Sequence, residues 1–209
     1  MISPQPTLTG SDLKRACAAL GAVDPDLRRV LDRLGPPPLW DREPGFPTLV
    51  HIILEQQVSL ASAGAAFAKL TARLPSLDPE SFAALDDREL KEIGFSRQKG
   101  RYCRELAHAV AGSDLDLDAL RLLPDHEVRS ALERVTGIGS WTSNIYLLMA
   151  LLRPDVWPPS DLALHKAVQD LKELNSPPTA EEFERIGEAW RPWRSVAARI
   201  LWFHYLNPE

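Results

Sequence analysis

The chain has 209 residues, 44% hydrophobic and 25% charged, the make-up of an ordinary globular protein with one large domain or two small ones sharing a cleft. Its net charge of −5 argues mildly against nucleic acid as a partner, and no apolar run approaches the ~20 residues of a membrane span. The opening, MISPQPTLTGSDLKRA, lacks the basic start and apolar core of a secretory signal, and two cysteines, Cys17 and Cys103, make neither a disulfide framework nor a zinc or iron–sulfur site, so a reducing cytoplasm is expected.

Strand signals are scarce and helical periodicity recurs, which predicts an all-α protein. Residues 10–34 read as two short helices broken at GAVDPD. Residues 46–74 read as a helical pair, the first carrying Phe46, Leu49, Val50, Ile53 and Leu54 on one face. Gln56 and Gln57 fall on that helix, away from its apolar face. Asp78 is an expected N-cap, with Pro79 at the first helical position. RQKGRYCR, 97–104, holds Arg97, Lys99, Arg101 and Arg104 without an acid and opens a helix over 97–112. Helices over 124–135 and 140–152 flank VTGIGSWTSN. Another starts near Ser160, placing Asp161 in its first turn, and Thr179 with Glu182 forms a capping box for the next. Pro192 opens the last helix, which ends before Pro208, and residues 190–199, WRPWRSVAAR, form a second acid-free run with Arg191, Arg194 and Arg199. Acids gather elsewhere, in stretches such as LDDRELKE and TAEEFE.

Gly137 and Gly139 bracket Ile138 at the join of two helices. Glycine reaches positive φ freely and lets backbone approach a ligand closely. The helix beginning at Ser140 directs unpaired N–H groups and its positive dipole end outward, a seat suited to phosphate. The other reading is an ordinary corner between helices.

LERVTGIGSWTSNIYLLMA resembles the helix–hairpin–helix element of the DNA glycosylase superfamily. WPPSDLALHKAV resembles the segment that supplies its catalytic aspartate, here Asp161. AWRPWRSVAARILW and FPTLVHIILEQQVS resemble elements of the bacterial 3-methyladenine DNA glycosylase II branch, so the likeness covers roughly residues 45–206 in order. It implies two α-helical subdomains, 45–153 and 1–44 plus 154–209, with the active site in the cleft between them. It implies a cytoplasmic monomer that flips alkylated purines out of damaged double-stranded DNA and excises them by hydrolysis, with no cofactor and no membrane. Residues 1–44 are too short and too helical for the N-terminal β domain of the best-known bacterial relatives, so a compact form is expected.

By the same resemblance Asp161 stabilises charge on the sugar and orients or deprotonates water. Trp141 occupies the position of the lysine found in bifunctional members, which implies a monofunctional enzyme without a lyase step. Its indole either stacks on the flipped base or anchors the core. Gln57 falls where the family inserts a wedge side chain into the vacated gap, with Gln56 beside it. Trp193 is a candidate pocket wall, and Glu55 a candidate acid facing a cationic base. DNA contacts fall to Gln56, Gln57, Gly137, Ile138, Gly139, Ser140, Thr142, Arg97 and Lys99. The arginines of the last helix either snorkel or reach phosphate. Backbone carbonyls of Val135 and Ile138 would hold a monovalent cation. The five histidines show no metal-ligand spacing and receive no role. Ile145 stands where an aromatic is frequent, and an acid pair is reduced to Ser160–Asp161, which alters the pocket's shape. A glycosylase for uracil or hypoxanthine, or a non-catalytic helix–hairpin–helix binder, are the rival readings.

Overall fold

A computed structural model describes residues 5–208. Among these there are twelve α-helices and one 3-10 turn, and no strand. In chain order the helices are α1 (Gly10–Val23), α2 (Pro25–Leu34), α3 (Phe46–Glu55), α4 (Leu60–Arg73), α5 (Pro79–Ala83), α6 (Asp87–Ile93), α7 (Arg97–Ala111), α8 (Asp125–Glu133), α9 (Ser140–Met149), α10 (Leu162–Leu171), α11 (Ala180–Glu188) and α12 (Arg194–Leu206). Local chemistry sets most boundaries. Thr9, Asp78, Asp86 and Thr179 each form a reciprocal capping box, so orphan N–H groups are met by the residue that starts the helix. Gly94, at φ 117°, ends α6 in the left-handed region.

The chain divides into two compact units. The first holds Arg42–Tyr146. Its core is built around α3, whose Leu49, Val50, Ile52 and Ile53 are fully buried against α4 and α7. Phe82 of α5 joins Phe46 at 6.0 Å and Phe95 at 5.7 Å, edge-on or tilted, the arrangement that ring quadrupoles favour. Tyr146 is buried and accepts a hydrogen bond from Gly45 N–H at 3.0 Å; burial pushes its phenol up to about 12.

The second unit holds Pro6–Asp41 and 147–208. Helix α12 is its axis, packed by α1, α2 and α10 and buried along almost its whole length. Trp157 stacks on Phe183 at 4.5 Å and meets Trp190 edge-on at 5.4 Å. Gly187 makes this possible: a Cβ there would lie 2.7 Å from the Trp157 indole nitrogen. Arg199, 0% exposed, donates to the carbonyls of Leu39, Ser195 and Leu148 at 2.7–3.0 Å. Burial pulls its guanidinium down to about 10, and three carbonyl dipoles compensate the buried charge. This residue therefore neither snorkels nor reaches phosphate. Arg191 and Arg194 are likewise held within the unit, by Asp155 and Glu188.

Candidate nucleic-acid interface and active site

The first cluster of candidate residues lies in the first unit, at the turn between α8 and α9. Ile138 N–H donates to the Val135 carbonyl at 3.0 Å, and the Ile138 side chain is buried, pinning the turn from inside. Gly137 sits at φ 97°, and a Cβ on it would come within 2.1 Å of the Tyr102 ring. Only glycine fits there, on two counts. Gly139 differs: a Cβ would meet nothing within 4 Å. The protein's own packing makes no demand for glycine at 139. Gly139 and Ser140 are exposed, and α9 begins at Ser140. Ser143 donates to Glu133 at 2.6 Å and Asn144 to the Ser140 carbonyl at 2.7 Å, bracing the turn from its helical sides.

Gln56 and Gln57 lie just beyond α3 rather than on it. Gln56 is the C-cap residue, and Gln57, exposed, takes φ 56°, the left-handed region that non-glycine residues seldom occupy. The Gln56 amide nitrogen donates to the Gly137 carbonyl and to the Thr142 hydroxyl, each at 2.9 Å. Both its hydrogens are thereby used. The Thr142 side chain, 1% exposed, faces into the unit, so its hydroxyl is not the surface contact expected from the sequence.

Two expected residues have internal partners. Lys99 donates to the Leu54 carbonyl at 2.6 Å, meeting an orphan acceptor at the end of α3, and partial burial lowers its ammonium below the ordinary lysine value. Glu55, 9% exposed, accepts a bidentate pair from Arg42 at 2.8 and 2.9 Å. Its charge is compensated, which corrects the picture of a bare acid awaiting a cationic base. His51 stands 3.7 Å from the same carboxylate and stacks on Phe67 at 4.2 Å; burial, opposed by Glu55, holds it below the usual histidine range. Arg97 is exposed at the start of α7, and Trp141 is half-buried on α9.

The second cluster lies in the second unit. Asp161 is the N-cap of α10, one position before the first turn in which the sequence placed it. Its Oδ1 accepts from Leu164 N–H at 2.9 Å and from the Trp202 indole N–H at 3.2 Å, and the residue is 7% exposed. Trp202 carries no local sequence signal for this role, because its partner lies 41 residues upstream. His165, one turn along α10, stacks on Phe183 at 3.9 Å with its Nε2 2.8 Å from the Pro159 carbonyl, steadying the segment that leads into Asp161. Trp193 is half-buried, with the Arg15 guanidinium 5.8 Å from its ring centre. An open depression beside Asp161 is lined by Ser160, Leu162, Ala163, Lys166, Pro177 and Tyr205.

Among the described residues no cluster of three or more His, Cys, Asp or Glu side chains could hold a metal ion. Neutral backbone oxygens such as that of Val135, which accepts one hydrogen bond and keeps a second lone pair, suit a hard monovalent cation. No described helix is long and apolar enough to cross a membrane.

Residues 50–192 match the family described as HhH-GPD superfamily base excision DNA repair protein. The putative DNA-3-methyladenine glycosylase of Bacillus subtilis is 30% identical over 124 residues, which are 59% of this chain and 43% of that protein. The chain thus spans less than half the length of this bacterial relative. The alkylbase DNA glycosidase-like protein of Schizosaccharomyces pombe is 26% identical over 199 residues, 92% of this chain and 93% of its own. Among solved structures, a Schizosaccharomyces pombe 3-methyladenine DNA glycosylase in complex with abasic DNA aligns with a TM-score of 0.83 at 26% identity, covering 90% of this chain and 95% of that one. With well over half of its length matched and the glycine turn in place between α8 and α9, the chain belongs to the HhH-GPD superfamily of base excision DNA repair proteins.

Proposed function

We propose that this protein is a monofunctional DNA glycosylase that flips an alkylated purine out of duplex DNA and hydrolyses its N-glycosidic bond. 3-Methyladenine is the foremost substrate, with 7-methylguanine and ethenoadenine beside it. One observation carries the reading: Asp161 caps α10 with a carboxylate held by two N–H donors, from Leu164 and Trp202. Breaking the bond builds positive charge on the sugar. An anion already fixed in direction stabilises that charge without reorganising, and it orients the attacking water. A purine alkylated at a ring nitrogen to give a cation, as in 3-methyladenine and 7-methylguanine, leaves without a general acid, so for these lesions one carboxylate suffices. The names of the relatives, 3-methyladenine and alkylbase enzymes, support this class of lesion.

The remaining roles follow from residue chemistry. Trp141 has no amine with which to form a Schiff base, and its indole is suited to stack on a cationic base. Trp193 is a second aromatic wall. The open space at Gly139 and the N–H groups that begin α9 suit the approach of a phosphate, with Arg97 adding charge from α7. Gln57 fills the gap left by the flipped nucleotide. Carbonyls of Val135 and Ile138 would hold a monovalent cation that steadies the turn.

The test is a panel of duplexes, each with one damaged base, uracil and hypoxanthine included, incubated with protein and then cleaved with alkali. Wild type should cut the alkylpurine duplexes. Asp161→Asn should lose at least ~100-fold in single-turnover rate. Trp202→Phe keeps the ring and drops the N–H, and should lose about tenfold with DNA affinity unchanged. Borohydride should trap no adduct. Near-normal base release by Asp161→Asn would refute the mechanism.

A further inference from the structure

The end of α3 is clamped from three directions within the first unit. Lys99 of α7 takes the Leu54 carbonyl, Arg42 takes the Glu55 carboxylate, and the turn between α8 and α9 takes the Gln56 amide. The next residue, Gln57, is exposed and held at φ 56°. A left-handed glutamine persists only where its surroundings over-determine the backbone. Those surroundings are the three clamps. The Gly137 carbonyl that receives Gln56 belongs to a residue packed against the Tyr102 ring with no room for a Cβ.

We infer that Gln56 is a positioning residue that locks the Gln57 turn to the glycine turn, so that gripping the strand and filling the vacated base position are performed by one rigid piece. This rests on the proposed reading of Gln57 as the residue that enters the gap. Its physical content is pre-organisation: a side chain already aimed when phosphate is bound loses little further freedom on insertion. A solvated amide beside the gap would make no such link. Here both amide hydrogens point away from solvent, one into the backbone of the phosphate seat and one into the first turn of α9.

The experiment is a double-mutant cycle on the full chain. Gln56→Met keeps length and removes the donors, and Gln57→Ala removes the inserting side chain. Each protein is titrated with a duplex bearing a tetrahydrofuran abasic-site analogue flanked by 2-aminopurine, and with the undamaged duplex. The readouts are the 2-aminopurine signal and the ratio of the two affinities. Each single variant should lower that ratio about tenfold, and the double variant should be no worse than Gln57→Ala alone, since Gln56 acts through Gln57. Lys99→Met, which loosens the same turn from α7, should behave as Gln56→Met does, and it carries the cycle if Gln56→Met does not fold. Losses that multiply in the double variants would overturn the coupling while leaving the function intact. If Gln57→Ala alone leaves the ratio unchanged, the reading of Gln57 as the inserted residue fails, and the coupling with it.

Discussion

Gly137 and Gly139 stand one residue apart in the same turn and are glycine for different reasons. Gly137 is required by the protein itself: φ is 97° and the Tyr102 ring occupies the place of a Cβ. Gly137→Ala should cost ~2–4 kcal/mol, through the unfavourable backbone region and the overpacked contact together, and thermal unfolding followed by circular dichroism will read it. At Gly139 a methyl group meets open space, so Gly139→Ala should leave stability within ~0.5 kcal/mol of wild type. Its effect should appear on DNA binding, because in the proposed phosphate seat the added methyl would stand in the way of a phosphate approaching the N–H groups of α9. Affinity for duplex should fall about tenfold by fluorescence anisotropy, a change of ~1.4 kcal/mol. Should Gly139→Ala bind as wild type does, the phosphate is not seated there. The sequence displays both glycines alike. Their separate reasons depend on Tyr102, which arrives from α7, and no local pattern announces it.

At the scale of helices, α2 shows how a cap becomes a hub. Asp24 accepts from the N–H groups of Asp26 and Leu27, from the Lys172 ammonium at 3.1 Å and from the Trp190 indole at 2.9 Å. Burial alone would raise its carboxyl, but the hydrogen bonds from Trp190, Leu27 and Lys172 outweigh it and hold the group below the ordinary 3.8. A depressed folded value means that the stabilisation is fully present above the ordinary carboxylate value and is lost as pH falls through the folded one. Asp24→Asn should therefore melt several degrees below wild type at neutral pH, and the difference should shrink steadily once the pH drops below about 4. A gap that stays constant down to strong acid would mean that packing, not charge, sets it. Caps of this kind were legible beforehand where the signal is local: Asp78 with Pro79, and Thr179 with Glu182. The capping box of α6 is equally local, formed by Asp86 and Glu89 within the acidic stretch LDDRELKE. What stayed hidden is non-local. Helix α3 stops before Gln56 in a setting where Lys99 takes its carbonyl, 45 residues on, and the fixing of Asp161 and the burial of Arg199 depend on partners just as remote. Periodicity finds a face, and it does not find what that face touches.

For the chain as a whole, a net charge of −5 has to be reconciled with the proposed binding of a polyanion. Several cations are engaged internally: Arg42 by Glu55, Lys99 by Leu54, Lys172 by Asp24 and Asp26, Arg194 by Asp155, and Arg199 by three carbonyls. The proposed phosphate seat is made of backbone N–H groups, whose positive ends are partial charges that displace few counterions, supplemented by exposed side chains such as Arg97 and Arg101. Affinity should accordingly depend on salt less steeply than for a strongly basic DNA-binding protein. With two or three phosphates neutralised by full charges, a plot of log K against log salt should have a slope of about −2 to −3. Arg97→Gln should make that slope shallower by about one, whereas Arg194→Gln, removed from an internal ion pair, should leave it unchanged. A wild-type slope of about −6 or steeper would mean that a broad cationic surface grips the duplex, and a backbone cradle would no longer be needed to explain how an acidic chain holds DNA.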